Sequence, residues 1–187
     1  MEILPIAIEL VNREQVLNGQ SRLLPAYAAT ISVFADAIEN LPVSIAIDYH
    51  TFKMLTGSDR AIHFEALEQF VEKYNPVELL GKKAAARLYN YLVNHLINLI
   101  NEGDESRYGQ CLAYLNYTID NRLVFNRGEM SPQRFKNTVT VYSHEKQFKY
   151  AQAFIDYFQN LLPEEKRNQA VLYNEAYLLF AQGNPDG

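Results

Sequence analysis

Residues 142–163 read YSHEKQFKYAQAFIDYFQNLLP. After Tyr142 comes a charged break, His144-Glu145-Lys146, and then an apolar stripe of Phe148, Ala151, Ile155 and Phe158 that closes at Pro163. Intervals of three and four place such residues on one face of a helix. A proline is tolerated in the first turn of a helix and not inside one, so Pro163 separates this helix from the next. Small Ala151 lets the helix approach a preceding one over residues 132–145, while Phe135, Tyr142 and Ile155 fill the groove between them. The stretch therefore predicts the second arm of a helical hairpin. One hairpin cannot bury all this surface, so it needs neighbours.

The same period runs outward through the chain: Phe64, Leu67, Val71 and Tyr74; Leu88, Leu92, Leu96 and Leu99; Tyr108, Leu112, Leu115 and Ile119. Asn75-Pro76-Val77-Glu78 and Ser131-Pro132 each combine a capping side chain with a proline at the first helical position. Thr56-Gly57-Ser58-Asp59 marks another break, and no alternating strand pattern flanked by hairpin turns occurs. The prediction is an all-α chain of about nine helices over 2–18, 25–40, 43–55, 59–74, 76–101, 105–123, 132–145, 147–161 and 164–182. Short links favour antiparallel hairpins, stacked as a solenoid or closed as a bundle.

Residues 135–163 resemble a tetratricopeptide repeat. Phe135 takes the large-aromatic place, Tyr142 lies seven residues on, and Ala151, Ile155 and Pro163 hold the later places. Thr138 and Val139 replace the usual Leu-Gly, and Lys146 stands where the family often has a turn glycine. A second copy starts at Leu172, 37 residues after Phe135, with Ala176 and Leu179 at the packing places. The resemblance covers 131–187 and implies a right-handed α-solenoid of stacked hairpins, with 76–130 as a degenerate hairpin and 1–75 as divergent helices. Because a second arm is expected beyond Gly183, the register predicts either a piece of a longer array or a lone final helix that caps it.

Composition bounds the function. Lys plus Arg number 17 against 22 for Asp plus Glu, a net charge of −5, so no global positive field exists to hold a phosphate backbone. Residues 82–149 alone carry a net +4, which is the whole basis for a helical-repeat RNA reading; no nucleic-acid partner is expected. No stretch has the apolar length of a membrane span, and Glu2 stands where a signal peptide carries positive charge, so no membrane partner and a cytoplasmic location are expected. The one cysteine, Cys111, has no internal partner for a disulfide and lies beside an apolar stripe, which reads as core.

Reactive constellations are sparse, and neither metal nor other cofactor is expected. For His50, His63, His95 and His144 no second histidine stands at the i, i+4 spacing of a helical zinc site, and His144-Glu145 lacks the histidine that would complete HExxH. His95 interrupts an apolar stripe and reads as a hydrogen-bonded core or rim residue. Glu65, Glu68 and Glu72 share a helix side without the histidines of a di-iron bundle, as a solvated face does. GKKAAARL at 81–88 lacks the first glycine and the Ser or Thr of a phosphate-binding loop, leaving Lys82 and Lys83 as a surface pair.

Two surface groups invite a binding role. Arg122, Arg127 and Arg134 beside Lys136 form a candidate patch for an acidic partner, although a cation near a helix C-terminus also has a structural reason. Asn137 and Asn174 each lie two residues after their repeat anchors; the resemblance implies that such asparagines hold a peptide backbone, joined on that face by Lys136, Thr140, Tyr173 and Tyr177. Tyrosines with an apolar body and a polar tip suit such contacts. The expected function is thus a non-catalytic protein- or peptide-binding scaffold. The alternative is a helical enzyme or ligand pocket built around His95 or His144 and a carboxylate from elsewhere in the fold.

Overall fold

The computed structural model describes residues 8–10, 40–57, 59–123 and 128–183. The expected helices at 2–18 and 25–40 lie outside these apart from 8–10, which are helical, and residue 40. Among the described residues every regular element is a helix, so the chain is all-α there. It divides into two compact units, Met1–Gly81 and Lys82–Gly187.

In the first unit, α1 (Val43–Thr56) packs on α2 (Arg60–Lys73) as a hairpin. Phe52 and Met54 of α1 and Phe64 and Leu67 of α2 are buried. The chain leaves α1 at Gly57, whose N–H donates to the Lys53 carbonyl at 2.7 Å; a Cβ there would stand 2.7 Å from that same oxygen, so a larger residue would force the turn apart. Next comes α3 (Pro76–Leu80), started by the predicted cap: Asn75 Oδ1 accepts from the Val77 N–H at 3.1 Å.

The expected single helix over 76–101 is two. Gly81, at φ +77°, breaks it, and α4 (Lys82–Asn101) begins anew. That φ is accessible to glycine and strained for other residues, and it withholds the carbonyl direction that α3 would need to continue.

In the second unit α4 packs on α5 (Tyr108–Asp120), α5 on α6 (Pro132–His144), and α6 on α7 (Phe148–Phe158); α8 (Glu164–Ala181) lies against both α6 and α7. A 3-10 turn precedes α5 at Glu105–Arg107 and another follows α7 at Gln159–Leu161, which shortens both helices relative to expectation. The buried stripe of α4 is Leu88, Leu92, Leu96 and Ile100, with Ile100 in the place predicted for Leu99. On α5 it is Cys111, Leu115 and Thr118 with Leu112, turned from the predicted face by a fraction of a turn. The predicted Ser131 cap accepts from the Arg134 N–H at 3.2 Å. Phe135, Phe154 and Phe158 then form an aromatic spine between α6 and α7, with ring centroids 5.4 and 4.8 Å apart along it. Ala151 is buried against it.

Several helix ends share one device. At α6 the Gln147 N–H reaches the Tyr142 carbonyl and the Lys146 N–H the Ser143 carbonyl, with Lys146 at φ +56° between them. Arg122, also at φ +56°, ends α5 in the same way. This left-handed closing turn is usually made by glycine, as Gly103 makes it after α4.

Candidate functional site

Between α6 and α8 runs a groove of about 280 Å³. The N-terminal end of α6 contributes Pro132, Gln133 and Lys136. Along α8, Lys166, Gln169, Ala170, Tyr173 and Asn174 line the other wall at intervals of three and four. The Lys136 ammonium lies over the Tyr173 ring, 5.0 Å from its centroid, which holds both side chains at the groove. Among the described residues neither Lys136 nor Lys166 takes part in an ion pair.

At the base sits Asn174, 1 % exposed. Its Nδ2 donates to the Ala170 carbonyl at 2.7 Å, and since a carbonyl can only accept, the amide orientation follows from the bond. The Oδ1 is therefore turned away, buried and without a hydrogen-bond partner. A buried acceptor in that condition carries a desolvation cost of about 1–3 kcal/mol until a donor reaches it.

The six residues expected on a binding face fare differently. Lys136, Tyr173 and Asn174 converge on the groove, whereas Asn137, Thr140 and Tyr177 are not among its lining residues. Asn137 is occupied within α6, accepting from Gln133 Nε2 at 2.8 Å. Tyr177 lies near Tyr108 of α5 instead. Pro132, Gln133, Lys166, Gln169 and Ala170 line the groove without having been expected there, although Lys166, Gln169, Tyr173 and Asn174 form one helical stripe in the sequence.

Of the expected acidic-partner patch, Arg134 is drawn away from the surface. Its guanidinium turns inward, donating to Asn90 Oδ1 at 2.8 Å and Thr118 Oγ1 at 3.0 Å, so it ties α6 to α4 and α5. Burial pulls its pKa down to about 10, still far above neutrality, and its Nε has no partner. Arg122 is exposed at the end of α5, and Arg127 lies outside the described residues. Cys111 is buried beside Arg134; burial pushes its thiol up to about 12 against the opposing pull of that cation.

Two histidine arrangements complete the inventory. His144 stacks on Tyr108 with centroids 3.5 Å apart and planes 7° from parallel, and its Nδ1 stands 3.4 Å from Glu145 Oε1. This His–carboxylate pair is open to solvent, with both side chains about a third exposed, and not enclosed between helices. In the first unit, His50 and His63 meet, Nδ1 to Nδ1, at 2.9 Å across α1 and α2. Burial lowers the pKa of both, and for His63 the neighbouring His50 and Lys53 add to the lowering while Asp59 opposes it. Ligand spacing along a single helix does not reveal this pair, because it meets across two helices. No cluster of three or more metal-ligating side chains occurs among the described residues. No described helix is long and apolar enough to cross a membrane.

No protein-family model, curated protein or solved structure matches this chain.

Proposed function

We propose that the second unit is a tetratricopeptide-like helical-repeat module that grips an extended peptide or protein segment, without catalysis, in the groove between α6 and α8. One observation carries this reading: Asn174, which lines the groove, holds a buried Oδ1 that has no hydrogen-bond partner. A backbone N–H of an extended segment supplies the missing donor without regard to side-chain identity, which is what a peptide-gripping asparagine requires. Lys136 and Lys166 on opposite walls, without ion pairs among the described residues, favour a segment with carboxylates, and the Tyr173 face offers apolar contact.

Solenoid stacking is part of the same proposal. The order of contacts, with α8 lying on both arms of the α6–α7 hairpin, is the order in which successive repeats stack. Lys146 in the left-handed turn occupies the place where the family often has glycine. The outward face of α8 carries Leu172 and Phe180, the apolar surface that a following repeat covers in such arrays.

Peptide-display selection on the immobilised chain tests the reading. Selected peptides should lose binding when Asn174→Ala or the Lys136→Ala/Lys166→Ala pair is introduced, and should keep it with His144→Ala. Peptides that bind all four proteins alike would place the site elsewhere.

A further inference from the structure

The α1–α2 hairpin brings together two imidazoles that stand thirteen residues apart in sequence. Their Nδ1 atoms face each other at 2.9 Å, with ring planes 49° apart. The Tyr49 ring meets both edge-on, at centroid distances of 5.5 and 5.7 Å, and so fixes their orientation from one side.

We propose that His50 and His63 form a two-imidazole binding site for a divalent transition-metal ion of the copper(II) or nickel(II) class, ligated through both Nδ1 atoms. Imidazole nitrogens lie about 2.0–2.1 Å from such an ion, so two of them in adjacent positions of a square-planar or octahedral sphere stand about 2.9 Å apart, and in a tetrahedral sphere about 3.4 Å. The observed spacing matches the square arrangement. Burial favours the neutral form of both rings, which is the form that ligates. Borderline-soft nitrogen donors exclude calcium and magnesium as the preferred occupant.

Proton accounting is simple. In the ion-free pair one ring carries its proton on Nδ1 and donates to the bare Nδ1 of the other. Ligation through both Nδ1 atoms requires both rings as the Nε2–H tautomer, so the donor ring moves its proton from Nδ1 to Nε2 and none is released overall. The described residues supply no third His, Cys, Asp or Glu ligand, so water takes the remaining positions. Asp59, one turn before His63, and Lys53 act on the site with opposite signs.

Titration of the full chain with copper(II) or nickel(II) in a non-coordinating buffer, followed by calorimetry and by the nitrogen hyperfine pattern of bound copper(II), tests the assignment. One ion per chain with two equivalent imidazole nitrogens is expected. His50→Ala and His63→Ala should each weaken binding by at least about 10–100-fold, the scale on which supporting partners alone act. Asp59→Asn should weaken it less, and Lys53→Gln should strengthen it. His50→Gln, which keeps a polar side chain, distinguishes ligand loss from misfolding when circular dichroism is unchanged. Equal affinity in the His50→Ala/His63→Ala double variant, or loss of binding with His144→Ala, would overturn the proposal.

Discussion

The helices α6 and α8 occupy corresponding places in the register read from the sequence, yet they live in different surroundings. Phe135 is 0 % exposed and its counterpart Leu172 is 67 % exposed. Six residues of α6 are buried against two of α8, Asn174 and Leu178. The reason lies in which helices surround each one. Among the described residues α6 packs mainly on α5, α7 and α8, whereas α8 packs mainly on α6 and α7. A helix packed from several sides must be apolar around most of its circumference; one packed from one side can place an asparagine in its contact face and leave Leu172 and Phe180 outward. Sequence register assigns the face of a helix only when its neighbours are the same.

The largest expected effect would break that comparison. Phe135→Ala should cost about 3–5 kcal/mol in denaturant unfolding, because it removes a fully buried ring from one end of the aromatic spine. Leu172→Ala, at the matching register position, should stay within about 0.5 kcal/mol. Equal costs would mean that α8 is covered as α6 is. Ala151→Leu should cost about 1–3 kcal/mol by overpacking the α6–α7 contact, since Ala151 has no exposed surface to expand into.

Smaller effects sharpen the account of the helix ends and of the buried thiol. Lys146→Gly should stabilise by up to about 1 kcal/mol, because the left-handed turn penalises a Cβ, while Lys146→Ala should give no such gain. Cys111 titrates near 12 in the fold and near 8.5 in an unfolded chain. Raised in this way, its contribution to stability is complete below about pH 8.5 and declines as pH rises toward the folded value. Wild type should therefore lose stability faster than Cys111→Ala between pH 8 and 10, and Ellman's reagent should label the native thiol only as fast as the unit opens.

What the sequence disclosed was local. The Asn75 and Ser131 caps needed only two or three adjacent residues, and both are present as read. Helical period came through because it repeats every turn, although the faces of α5 and α8 depended on which helix lies opposite. Gly81 was visible in the sequence, but its backbone angle, which divides 76–101, was not. Arg134 looked like a surface cation because its acceptors, Asn90 and Thr118, lie 44 and 16 residues away. For the same reason the His50–His63 meeting and the orphaned oxygen of Asn174 emerge only from the packed chain.

The most direct measurement compares Asn174→Ala with wild type in thermal melting and in binding of display-selected peptides. A side chain kept for structure should lower the melting temperature when removed, whereas an acceptor left unpaired for a ligand should not. The account predicts an unchanged or raised melting temperature together with loss of peptide binding. A lowered melting temperature with peptide binding intact would contradict it.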